Sequence, residues 1–150
     1  MADIAPLLFA VHKGISGPLP DAASVGAAPL DVGPAAAAHP DVTLLFYHSG
    51  YEPLWTEGPH RPGGDGVDAL VNSLAEHGIG ADGNVYAELG STWQLILRKP
   101  IEAAHLLGKL LSAVGPERIL WGTDSVWYGS PQPLIDAFRA FTIPEWMQDE

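Results

Sequence analysis

The chain has 150 residues, 47% of them hydrophobic and 17% charged, which suits one globular domain of about 100–200 residues and not a disordered polymer. Seven lysines and arginines against 18 acids leave a net charge of −11, so no basic surface is available for nucleic-acid phosphates or anionic membranes. The absence of cysteine excludes disulfides, thiolate metal sites and thiol nucleophiles.

The first apolar run, Ile4 to Val11, is too short to span a bilayer. No basic segment precedes it and no small-residue cleavage site follows, so the expectation is a cytoplasmic protein without a signal peptide. Within this region Pro6-Leu-Leu-Phe-Ala-Val-His12 reads as a first strand. The stretch from Gly14 to Ala38, rich in Gly, Ala and Pro, reads as a long loop leading into a weak helix over Asp31–His39, ended by Pro40. A second strand is expected over Val42–His48. Val67, Leu70, Val71 and Leu74 then recur at helical spacing and stop before Gly78. Asn84–Gly90 is a third strand, and Ile101–Val114 a helix stopped by Gly115-Pro116. Arg118–Asp124 is a fourth strand. Leu134, Ile135, Phe138 and Phe141 form the apolar stripe of a last helix, with Ser130 as its cap and Pro131 in its first turn.

The strands begin 34–42 residues apart and alternate with helices, a repeat that predicts an α/β fold with a parallel sheet and right-handed crossovers. Their near-continuous apolar character suits strands covered on both faces. Two architectures fit: an open doubly wound sheet, or four consecutive units of a (β/α)₈ barrel, which needs about 250 residues when complete. In both, the carboxyl ends of the strands carry the active site. Those ends here are His12-Lys-Gly14, His48-Ser-Gly50, Glu88-Leu-Gly-Ser91 and Thr123-Asp-Ser125.

Leu8, Ala10 and His12 share one strand face, as do Leu44, Phe46 and His48, and Leu120, Gly122 and Asp124. Pointed at a common axis, these faces bring together two imidazoles and a carboxylate. Such groups are ligands for zinc or another divalent ion, with an open position for water. A lone strand-end histidine is ordinarily structural; three strand-end groups in phase favour a site. No G-x-G-x-x-G, G-x-x-x-x-G-K-[ST] or G-x-S-x-G pattern occurs, which leaves nucleotide binding and an α/β-hydrolase serine unsupported.

His12-Lys-Gly, Tyr47-His-Ser-Gly-Tyr-Glu52, Asn84-Val-Tyr-Ala-Glu-Leu-Gly90 and Leu120-Trp-Gly-Thr-Asp-Ser125 together resemble the metal-dependent amidohydrolase superfamily. The branch they look like is the amidohydrolase-related proteins that include aminocarboxymuconate-semialdehyde decarboxylase. The resemblance runs from about Phe9 to Phe141 and implies a (β/α)₈ barrel with divalent metal, most often zinc, at the strand ends. By that resemblance His12 follows the fifth barrel strand as a metal ligand. His48 follows the sixth as a ligand or a water-orienting catalytic group. Asp124 follows the eighth as a ligand that also takes a proton from the metal-activated water. The family's first strand ends in His-x-His, which this sequence lacks. Residues 1–150 therefore resemble the carboxyl-terminal half of the barrel, incomplete at both ends. The expected activity is hydrolysis or metal-assisted decarboxylation of a small molecule, low or absent in this chain alone. The alternative is a non-catalytic half-barrel that serves as an interaction module. Open sheet edges predict homo-oligomers or association with a partner.

Other residues divide between structure and function. His39 and His77 stand at helix ends, where they cap, and His105 is structural within its helix. His60, in a loop expected to overhang the site, and Trp93 and Trp127, which follow strand ends, are candidates for substrate contact, as is Tyr128. Glu88 is expected near the metal, directly or behind a ligand. Lys13 either binds a substrate carboxylate or faces solvent, with solvent favoured.

Overall fold

A computed structural model describes residues 7–17 and 26–148; the start of the first apolar run and the stretch 18–25 of the Gly/Ala/Pro-rich loop lie outside the described residues. Four strands, β1 (Leu7–His12), β2 (Val42–Tyr47), β3 (Val85–Glu88) and β4 (Ile119–Leu120), form one sheet in the order β1-β2-β3-β4. Every pairing is parallel, with Leu7 beside Val42, Leu44 beside Val85 and Ala87 beside Ile119. The α/β alternation of the sequence is thus realised, and the spatial order follows the chain order without the reversal of a doubly wound sheet.

The connecting helices are α1 (Val32–Ala38), α2 (Val67–Glu76), α3 (Thr92–Ile96), α4 (Pro100–Val114), α5 (Ser125–Tyr128) and α6 (Gln132–Ala140). α2 ends at His77 before Gly78, and α4 ends at Gly115, as their sequences predict. Ser130 lies one residue outside the α6 cap position but still accepts from the Gln132 N–H at 3.3 Å. α3 and α5 are short turns absent from the periodicity, because each is too brief to repeat an apolar stripe.

The core lies on one face of the sheet. Leu44 and Phe46 of β2 and Val85 and Ala87 of β3 pack with Val32 and Ala36 of α1, Leu70 and Leu74 of α2, and Leu106 and Leu110 of α4. α1 and α2 cross closely at Gly33. A Cβ there would fall 1.9 Å from the Ser73 carbonyl oxygen, while the Gly33 N–H donates to Ser73 Oγ at 2.9 Å. Asn84 fastens the start of β3 by donating from Nδ2 to the carbonyls of Ala36, His39 and Val42.

The opposite face carries Leu8, Ala10 and His12, then Leu45, Tyr86, Glu88 and Leu120. Much of it is uncovered among the described residues: Leu8 is 65% exposed and Leu120 38%. Burial of both faces, expected from the apolar runs, therefore holds only on the helix side of β2 and β3; on β1, Leu7 and Phe9 of that same side are each 59% exposed. The phase assigned to β2 is also corrected. Leu44 and Phe46 face the helices, not the side that His12 shares. β4 is shorter than the predicted Arg118–Asp124. After Leu120, whose carbonyl accepts from the Leu89 N–H, the chain crosses the end of β3. No helix in the described residues is long and apolar enough to cross a membrane.

A buried ionic cluster fastens the segment between β2 and α2 to the helix layer. Lys109 of α4 donates from Nζ to Glu57 at 2.5 Å and to Asp68 at 2.8 Å, and Asp68 also pairs with Arg61 at 3.3 Å. Lys109, Glu57 and Asp68 are all buried. Burial raises the Glu57 carboxyl above its ordinary value despite the lysine.

Candidate functional site at the carboxyl edge

The backbone at the carboxyl edge is unusual at every strand. Among the described residues, the non-glycine residues with positive φ are Ile15 after β1, His48 and Ser49 after β2, Ser91 after β3 and Asp124 near the end of the β4 crossing. Such conformations cost about 1–3 kcal/mol each and concentrate where tertiary structure holds a site in place. They also explain the geometry. At φ 67°, His48 leaves the alternation of β2, so its ring meets the His12 ring although Phe46 faces the other way. The two imidazoles stand edge to face with centroids 4.5 Å apart.

His48 Nδ1 lies 2.6 Å from the Gly90 carbonyl oxygen. A carbonyl only accepts, so Nδ1 carries the proton and Nε2 is left as the unprotonated nitrogen of the neutral ring. Asp124 Oδ2 is 3.8 Å from the same Nδ1 and accepts a hydrogen bond from Ser91 Oγ at 2.6 Å. Tyr128 in turn donates to Ser91 Oγ at 3.0 Å. Although His12 keeps access to solvent, partial desolvation and the adjacent His48 ring hold its pKa below the ordinary imidazole value. Its neutral form is favoured, the form that ligates a cation.

Glu88 lies behind this group. Its carboxylate accepts from the Gly90 N–H at 2.7 Å and from the His48 N–H at 3.4 Å. Burial raises its pKa, and Asp124 adds to that direction. Gly122 has no side chain because Glu88 occupies the space; a Cβ there would meet Oε1 at 1.7 Å. The sequence suggests a residue near the metal or behind a ligand, and the structure places Glu88 behind His48.

A hollow of about 520 Å³ opens between His12, His48, Ser91 and Asp124, walled further by Ile15, Tyr47, Trp127 and Tyr128. Three expectations for its surroundings are corrected. Trp93 is buried in the core: Phe138 and Phe141 pack edge-on against it, and its Nε1 donates to the Leu134 carbonyl, so it does not reach the hollow. His60 pairs with Asn72 and lines a larger groove of about 1080 Å³ on the helix side, which shares no residue with the site. Lys13 is neither at the substrate nor in solvent. It is buried, pairs with Asp31 at 2.6 Å and donates to the Gly26 carbonyl. His77 caps α2 as expected, with Nδ1 2.9 Å from the Ser73 carbonyl.

The sequence reading did not assign Ser91 a role. Its signal was the Glu-Leu-Gly-Ser strand end, where a polar residue follows a glycine at the same edge as the two histidines.

Two imidazoles and a carboxylate are donor types suited to a divalent cation, and the Gly90 contact on Nδ1 is the kind of anchor that orients a ligand histidine. The residues fit part of a coordination shell. Among the described residues, no three His, Asp or Glu side chains close around one point. Compared with family models, with curated proteins and with solved structures, the chain matches none.

Proposed function

We propose that this chain carries the last four βα units of a metal-dependent hydrolase barrel of the amidohydrolase-related kind, and that His12, His48 and Asp124 form part of its divalent metal site, with zinc the expected ion. The observation that carries this reading is the gathering of three strand-end groups, from β1, β2 and β4, at one edge of a sequentially ordered parallel sheet. The apolar face left uncovered by the described residues adds to it, since in a closed barrel the face away from the helices forms the interior.

A bound divalent cation supplies Lewis acidity and lowers the pKa of its water. His48, oriented by Gly90, presents Nε2, and His12 presents a neutral ring. Asp124 accepts the proton released as a small-molecule substrate is hydrolysed, or handles the proton when carboxylate is lost. Tyr47, Trp127 and Tyr128 offer aromatic surface to that substrate. The expected location is the cytoplasm.

A second reading, a non-catalytic half-barrel that binds a partner through its open face, is favoured by the exposed apolar side chains of that face, with Leu8 65% and Leu120 38% exposed. Titration calorimetry with zinc separates the two. The first reading expects weak, reversible binding by the chain alone, abolished or sharply reduced in Asp124→Ala, with negligible turnover. Equal affinities for wild type and Asp124→Ala remove Asp124 from any metal site and leave the second reading.

A further inference from the structure

Resting on the metal-site reading above, we propose that Ser91 and Tyr128 are positioning residues for Asp124, and that their hydroxyl chain holds one carboxylate oxygen so that the other is presented in a fixed orientation. Tyr128 donates to Ser91 Oγ at 3.0 Å, and Ser91 spends its single proton on Asp124 Oδ2 at 2.6 Å. The direction of the chain is therefore fixed: tyrosine to serine to carboxylate. Asp124 Oδ1 accepts no hydrogen bond among the described residues and lies beside Gly90, whose missing side chain leaves it room; a Cβ at Gly90 would come within 3.0 Å of it.

The three residues come from different parts of the fold. Ser91 follows β3, Asp124 ends the crossing after β4, and Tyr128 closes α5. Ser91 and Asp124 both hold positive φ, a backbone conformation uncommon for residues other than glycine. An aspartate at φ 49° with a two-bonded side chain has many wrong orientations available and one that is tied down. The Tyr128–Ser91 chain selects that one before a cation arrives. Hydrogen-bonded partners behind metal ligands are worth about 10–100-fold in metal affinity when removed.

The test measures zinc affinity by calorimetry, together with the visible absorption of the Co²⁺ form, for the full chain and for Ser91→Ala, Tyr128→Phe, Asp124→Ala and the Ser91→Ala/Asp124→Ala pair. Ser91→Ala should weaken zinc by about 10–100-fold and alter the cobalt spectrum. Tyr128→Phe, at a partly exposed residue, should weaken it less while leaving thermal unfolding unchanged. Once Asp124 is gone, Ser91→Ala should cost no further affinity, because the serine acts only through the carboxylate. A merely structural serine would weaken both backgrounds alike and leave the cobalt spectrum unmoved, which overturns the proposal. If Ser91→Ala fails to fold, Tyr128→Phe decides, and wild-type affinity and spectrum in that variant overturn it. Loss of zinc in Asp124→Ala with full affinity in both hydroxyl variants refutes the positioning role alone. Wild-type affinity in Asp124→Ala, or no zinc uptake by wild type, refutes the metal site and the positioning role together.

Discussion

Replacing Lys109 by methionine tests how the segment between β2 and α2 is fastened. Lys109 Nζ contacts Glu57 at 2.5 Å and Asp68 at 2.8 Å, and all three side chains are buried. Methionine fills much of the lysine stem's volume but leaves two carboxylates facing each other, with only the partly exposed Arg61 beside Asp68. Removing one partner of a buried ion pair costs about 3–5 kcal/mol. For a chain of this size each kcal/mol lowers the melting midpoint by about 2–4 °C, so a loss of about 6–20 °C is expected at neutral pH. The pH dependence carries a signature. Glu57 already has a raised pKa from burial, and losing the lysine raises it further. Acidification lets the stranded carboxylates take up protons, so the gap between wild type and variant should narrow as pH falls toward about 4. Thermal and urea unfolding followed by circular dichroism reads both quantities. A loss under about 1 kcal/mol at neutral pH, or a gap that does not change with pH, would refute the account of a buried ionic clamp.

Four further outcomes follow from the structure. Gly122→Ala should destabilise the chain by more than an ordinary surface change, because its Cβ would meet Glu88 Oε1 at 1.7 Å; Gly122→Ala combined with Glu88→Ala should recover stability, and unfolding midpoints for the single and double variants decide it. Glu88 has a raised pKa in the folded state, so the folded chain binds its proton more tightly than the unfolded chain does. Its contribution to stability should fall as pH rises from about 4.5, the ordinary carboxyl value, to the raised one, and Glu88→Gln should flatten that part of a stability–pH curve. His12, with a lowered pKa, has the opposite sign: stability should rise with pH up to about 6.5, and His12→Asn should remove that rise. The uncovered sheet face should drive association at tens of micromolar by sedimentation. Leu8→Lys, on the open edge strand, should shift the population toward monomer; a wild-type chain that stays monomeric would count against an open barrel interior.

Much of the architecture was legible in short-range patterns. The apolar runs ending at His12, His48 and Asp124, separated by helical stripes, imply parallel strands, because parallel neighbours need a crossover. Gly78 and Gly115-Pro116 mark helix ends through local backbone chemistry alone. That chemistry-bearing residues collect at one edge also follows from the alternation of strand and helix. What the sequence could not decide is where each side chain turns once its strand ends. Alternation put Leu44, Phe46 and His48 on one face, yet the left-handed turn at His48 separates the histidine from the other two and carries it to His12. A non-glycine residue adopts that turn only when contacts made elsewhere in the fold compensate its cost, so no local propensity announces it. Trp93 and Lys13 fail for the same reason. Each sits beside a strand end in sequence, but long-range packing against Phe138 and Phe141, and pairing with Asp31, withdraw them from the site. Composition and periodicity determined the layers of this protein; the tertiary contacts among His48, Gly90, Ser91, Asp124 and Tyr128, distant in sequence and joined only when the strands align, decided the site.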